Sequence, residues 1–295
     1  MLWSTLLGPL ARSAHSQPSI WFADLSQRAA QASSCELAIF GGRLAATPGL
    51  AFLAGYQAAL RALLPSAPAG IGALCLTEQR SSKPADIHTR LLEQQITGHK
   101  DFVIAGSAAQ WLLVLARSEL AAQAPRLSAV LVSTDNPQVS LQAGPALAML
   151  PDITHSSVQF SQAQCQVLNG DGWDDYGKPF RTLEDGHVLA ALCAWLYGQS
   201  LLDHWPQALQ LQLITVLASL KETLAQPPQA AATHLLLAGS LAQFASLQTQ
   251  ISDALSTYSS PNTGQAWQRD KAVLTIANSA RIRRLQIALD ALKLI

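Results

Sequence analysis

Side chains able to do chemistry are few in this sequence, and their spacing removes several reaction classes. There is no G-x-S-x-G elbow for a serine nucleophile and no H-E-x-x-H pair for zinc, and the seven histidines are dispersed. Gly70-x-Gly72 lacks the third glycine of a dinucleotide loop, and no helix follows it. What remains is carboxylate and guanidinium chemistry. Glu184 and Asp185 follow Thr182 at the head of an apolar helical period over 183–202. A threonine cap and first-turn carboxylates suit the positive end of the helix dipole. Arg281, Arg283 and Arg284 are placed either to meet a phosphate or pyrophosphate or to form a solvated helix face. Lys100 and Asp101 are expected in a solvated turn. Cys35, Cys75, Cys165 and Cys193 show no C-x-x-C spacing, which points to buried free thiols in a reducing compartment.

These residues must be held by elements that the pattern outlines. At 295 residues the chain can bury a sizeable core. Charged residues make up 13% of it, half of the usual share of about 25%. So few charges leave much apolar exterior to cover, which predicts self-association. A net charge of zero gives no reason to expect a nucleic-acid or membrane-surface partner. Neither a signal peptide nor an apolar run long enough to span a membrane is expected, so the protein is expected to be cytoplasmic.

Three zones follow. Residues 1–66 form a helical N-terminal zone with breakers at Gly41-Gly42 and Pro48-Gly49. Residues 67–172 read as short strands, including a single strand over 87–96, and predict an antiparallel β-barrel or sandwich. Residues 173–295 change to a period of 3.6. Leu209, Leu213, Val216 and Leu220 line one helix face, and a second face runs unbroken from Leu237 to Leu255. With helices at 183–202 and from Ile282 onward, this zone predicts a four-helix bundle. The class is α+β, with a β-domain between helical zones.

The order of motifs adds a resemblance. Ala73-Leu74-Cys75-Leu76-Thr77-Glu78 is followed by Gly98-His99-Lys100-Asp101-Phe102-Val103-Ile104-Ala105-Gly106, and then by Val167-Leu168-Asn169-Gly170-Asp171-Gly172. This succession, leading into a helical bundle, resembles the middle and C-terminal domains of the acyl-CoA dehydrogenase family. The resemblance implies FAD held at Leu76, Thr77, Phe102, Val103 and Ile104. It implies oxidation of an acyl-CoA or related thioester, with removal of the α-proton and transfer of the β-hydrogen to flavin N5. Some members carry the base at the start of the first bundle helix, and aligning on Ala190-Ala191 places Asp185 there with Glu184 beside it. Substituting either by its amide is expected to spare the fold. The resemblance also implies a homo-oligomer, dimer or tetramer, and a flavoprotein electron acceptor.

The departures imply an alternative. The N-terminal zone is short, Ile104 stands where a threonine normally bonds the flavin, and Gln79-Arg80-Ser81-Ser82 replaces the usual glycine-serine turn. The late tyrosine-glutamate-glycine-threonine motif is absent, and Trp267-Gln268-Arg269-Asp270 leads into the last helix instead. Such a chain would serve as a non-catalytic subunit that pairs with a second dehydrogenase-like chain.

Overall fold

The computed structural model describes residues 1–120 and 125–294. The chain folds into two compact units, one helical and one built on a sheet. The helical unit joins residues 1–62 to the chain from Thr182 onward, with a short insertion at 148–150.

Its first helices are α1 (Trp3–Leu7), α2 (Pro18–Arg28), α3 (Ser34–Leu44) and α4 (Pro48–Leu63). Local chemistry starts them. Ser33 and Glu36 form a reciprocal capping box at α3, and Pro18 occupies the first turn of α2, where its missing N–H costs nothing. Next come α5 (Lys178–Leu202), α6 (Gln207–Leu224), α7 (Ala231–Ser246), α8 (Gln248–Tyr258), α9 (Pro261–Asp270) and α10 (Asn278–Ala291). The apolar face expected to run unbroken from Leu237 to Leu255 is divided at Leu247, between α7 and α8. The buried rings of Trp195 and Trp267 stack with centroids 6.0 Å apart, and Phe244 meets Trp267 edge-on.

The start of α5 departs from the sequence expectation. A wide helical turn over Gly172–Gly177 precedes it, capped by Asp171, whose carboxylate accepts from the Trp173 and Asp174 amides at 2.8 Å each. Helical backbone is therefore already established at Lys178. Thr182 is not the cap, and Glu184 and Asp185 lie inside the helix.

Glycines let α3 and α4 approach α5 closely. A Cβ on Gly42 would stand 2.1 Å from the Ala191 carbonyl oxygen, and one on Gly55 would stand 2.6 Å from Val188 Cα. Both obstacles are backbone and cannot rotate away. Gly42→Val is therefore expected to lower unfolding free energy by about 2 kcal/mol, measurable by chemical denaturation; an unchanged midpoint would contradict this packing.

The second unit holds β1 (Gly72–Cys75), β2 (Arg90–Leu92), β3 (Gln95–Ile104), β4 (Trp111–Arg117), β5 (Leu127–Ser133), β6 (Val139–Ala143), β7 (His155–Gln164) and β8 (Gln166–Val167). The sheet runs β6-β7-β3-β2-β4-β5-β8, and β1 pairs with β4. Helices, a central sheet and more helices thus follow in the expected order. Within the sheet most pairs are antiparallel, but β1 lies parallel to β4, and Arg90 of β2 pairs in parallel with Arg117. The strand expected over 87–96 is instead a hairpin. Glu93 and Gln94 adopt φ of 47° and 62° and turn β2 back onto β3, the geometry of a two-residue hairpin turn. The core of the sheet contains Ala73, Val103, Leu112, Val114, Val130 and Phe160.

Candidate functional site

The end of β1 and the middle of β3 build a dense polar cluster in the sheet unit. After β1 the chain turns sharply at Gln79 and Arg80, with φ of 49° and 62°. Glu78 and Ser81 close this turn through two backbone hydrogen bonds of 2.9 and 2.8 Å. The Glu78 carboxylate points inward. It accepts from Lys100 Nζ at 2.6 Å, from the His88 amide at 2.6 Å and from the Thr89 amide at 3.2 Å. Lys100 is fully buried and also donates to the Leu115 carbonyl at 2.6 Å.

Lys100 and Asp101 are therefore not a solvated turn. Both lie on β3 and fix the chain at Thr77. The Asp101 amide donates to the Thr77 carbonyl at 2.9 Å, and the Asp101 carboxylate accepts from the Arg80 amide at 2.7 Å. An irregularity in the β3–β7 register lies between Lys100 and Val103. Across it Lys100 and Val103 are buried, while Phe102 is exposed.

A cavity of about 650 Å³ opens beside this turn, bordered by Thr77, Arg80, Asp101, Phe102, Leu147 and His155. The rings of Phe102 and His155 lie 4.6 Å apart. Burial pushes the His155 imidazole below its usual range, which keeps it neutral at pH 7. Thr77 and Phe102, separated in sequence, thus share one cavity. Leu76, Val103 and Ile104 do not line it. Leu76 packs with Ile87, Leu115 and Leu127, Val103 joins the sheet core, and Ile104 is buried. His155 also borders the cavity, and nothing in the dispersed spacing of the seven histidines singles it out.

The predicted carboxylates lie in the helical unit. Asp185 is buried against α10, and its two oxygens accept from Arg281, at 2.6 Å, and from Arg284. Glu184 is half-buried. The three arginines divide their work, because Arg283 is exposed while Arg281 and Arg284 turn to Asp185. His187 is fully buried between the Leu183 carbonyl and Ser34 Oγ, and burial lowers its imidazole to about 4. Cys35, Cys75 and Cys193 are buried free thiols, and Cys165 is half-buried. Among the described residues no helix is long and apolar enough to cross a membrane.

No protein-family model and no curated protein sequence matches the chain. Solved structures do match it in three dimensions. An acyl-CoA dehydrogenase from Geobacillus kaustophilus superposes with a TM-score of 0.67 at 14% identity, covering 92% of this chain and 90% of that one. Butyryl-CoA dehydrogenase from Megasphaera elsdenii gives 0.60 at 13% identity, over 93% and 87% of the two chains. FMN-bound TdsC from Paenibacillus sp. A11-2 gives 0.68 at 15% identity, over 91% and 87%; in another structure this protein is described as a dibenzothiophene monooxygenase. Helices, central sheet and C-terminal helices together have the acyl-CoA dehydrogenase fold.

Proposed function

We propose that the chain binds FAD at the cavity of the sheet unit and oxidises an acyl thioester. One observation carries this reading: Thr77 and Phe102, which the family resemblance assigns to the cofactor, border a single cavity. A volume of about 650 Å³ lies within the range of about 300–1,000 Å³ typical of small-molecule sites. Its lining suits a planar heteroaromatic ring, with the Phe102 and His155 rings for stacking and the Thr77 hydroxyl for a hydrogen bond. The Glu78–Lys100 pair and Asp101 hold Thr77 and the following turn rigid, as a preorganised site requires. Ile104 does not border this cavity, so ring orientation falls to Thr77 and to backbone groups.

Bound flavin would supply the hydride acceptor. The chain must supply the base for the α-proton, for which the candidates are Asp185 and Glu184. Both Asp185 oxygens accept from guanidinium groups, and the turnover of Asp185→Asn and Glu184→Gln decides between the two. Ile276 and Ile287 are 68% and 58% exposed, and this apolar surface supports a dimer or tetramer built on the helical unit. An electron-acceptor flavoprotein would complete the reaction.

Titration with FAD and with FMN tests the cofactor. One FAD per chain is expected, held more tightly than FMN, with visible absorbance that bleaches on anaerobic addition of an acyl-CoA. Thr77→Val and Phe102→Ala are each expected to weaken flavin binding by about tenfold, or about 1.4 kcal/mol. Protein that takes up neither flavin would sink this reading, and preference for FMN would shift it toward the chemistry of TdsC.

The ion-paired state of Asp185 favours a second reading, a non-catalytic subunit that pairs with an intact dehydrogenase-like chain. Purification from the native source separates the two, because a flavin-loaded homo-oligomer that turns over acyl-CoA alone excludes the subunit role.

A further inference from the structure

Within the helical unit, α7, α10 and the turn Lys271–Thr275 border a cavity of about 720 Å³. Leu189, Leu237, Leu241 and Phe244 give it apolar walls. Charge is unevenly placed around it. Lys271, Arg281 and Arg284 line the cavity, and among the described residues none that lines it is acidic. Asp185 holds Arg281 and Arg284 together, one negative charge against two. His234 adds no charge, because burial and the nearby Arg284 both push its imidazole down. Neither His234 Nδ1 nor Arg281 Nε has a partner among the described residues. The cluster therefore keeps surplus positive charge and unused hydrogen-bonding capacity beside an apolar space large enough for a small molecule. An apolar ligand alone would leave that charge unanswered, and a compact anion would leave the apolar walls bare.

We propose that this cavity binds a single-chain amphiphile with a carboxylate head, the alkyl chain against Leu237, Leu241 and Phe244 and the head group toward Arg281 and Arg284. The site lies wholly within the helical unit and does not depend on flavin binding in the sheet unit.

Calorimetric titration of the full chain with decanoate tests this, with decanol and decyltrimethylammonium as controls of equal chain length. Decanoate should bind saturably, one per chain, at least about tenfold more tightly than decanol, equivalent to about 1.4 kcal/mol. The ammonium amphiphile should not bind. Leu241→Trp fills the cavity and should abolish uptake, and Ala245→Trp, on an exposed part of the same wall, does so even if the first variant folds poorly. Lys271 takes no part in the Asp185 ion pairs, so Lys271→Gln removes charge without loosening the helices and should weaken decanoate binding about threefold. Three outcomes would overturn the proposal: no saturable decanoate binding, equal affinity for decanol, or full binding by both tryptophan variants. A fourth would show the occupant to be a second copy of this chain, namely a dimer that Ala245→Trp dissociates and that takes up no decanoate.

Discussion

Lys100→Met is expected to cost the fold about 3–5 kcal/mol, the range for breaking a buried ion pair by removing one partner. The Lys100 side chain is fully buried and that of Glu78 is 6% exposed, so the remaining carboxylate has little access to water. Glu78 would keep the His88 and Thr89 amides but lose the Lys100 ammonium that neutralises it in this pocket of the sheet. The double variant Lys100→Met/Glu78→Leu should recover much of the loss, because a buried pair replaced by apolar groups is often close to neutral. Urea unfolding of the set checks both statements, and a single variant within about 1 kcal/mol of wild type would count against a buried pair.

Acid unfolding offers an independent test. Burial alone would push the Glu78 carboxyl up, but the Lys100 ammonium and the hydrogen bonds from Lys100, His88 and Thr89 outweigh it and hold it below the usual carboxylate range. A depressed folded-state value means that this contribution is complete above the unfolded glutamate value of about 4.3. It is lost as pH falls through the folded value. Wild type should therefore lose stability below about pH 4.3 more steeply than Glu78→Gln does.

Asp185→Asn is expected to destabilise the helical unit by about 3 kcal/mol, at the low end of the range for a broken buried ion pair. The low end applies because the Arg281 and Arg284 side chains are 13% and 19% exposed and keep some solvation. Asparagine can accept from one guanidinium but cannot neutralise either. Glu184→Gln should cost less than Asp185→Asn, because it leaves the buried ion pairs of Asp185 with Arg281 and Arg284 intact. Paired thermal melts distinguish the two, and equal effects would contradict the placement of Asp185. The sequence expectation that both amide variants spare the fold is thus revised for Asp185. Any activity loss in Asp185→Asn must be measured at a temperature where the variant remains folded.

The sequence and the structure part company at identifiable places. Helical periodicity located α5, α6, α7 and α10, because an apolar stripe every three to four residues has one stable solution in water. It overlooked the division at Leu247, where the stripe continues across a change of direction. Period-two alternation located most of the sheet, but it also ran through Glu93 and Gln94, which lack the glycine that usually marks a tight hairpin. Thr182 looked like a cap because threonine before carboxylates is a cap signature. The true cap, Asp171, lies a wide turn upstream, and nothing local in the sequence ranks the two.

At the candidate site, local pattern determined the types of group present and their order along the chain. Thr77, Glu78, Lys100 and Phe102 were all visible, and family resemblance gave a role to two of them. The partner of each charge was not visible. Glu78 and Lys100 look like surface residues until β1, β3 and β4 come together, when a lysine and a glutamate far apart in sequence become one buried pair. Asp185 looks like a first-turn carboxylate until α10 brings two arginines to it from nearly a hundred residues away. Periodicity is a property of one element and survives in one dimension. The pairing of buried charges depends on which elements pack together, so only the tertiary structure decides it.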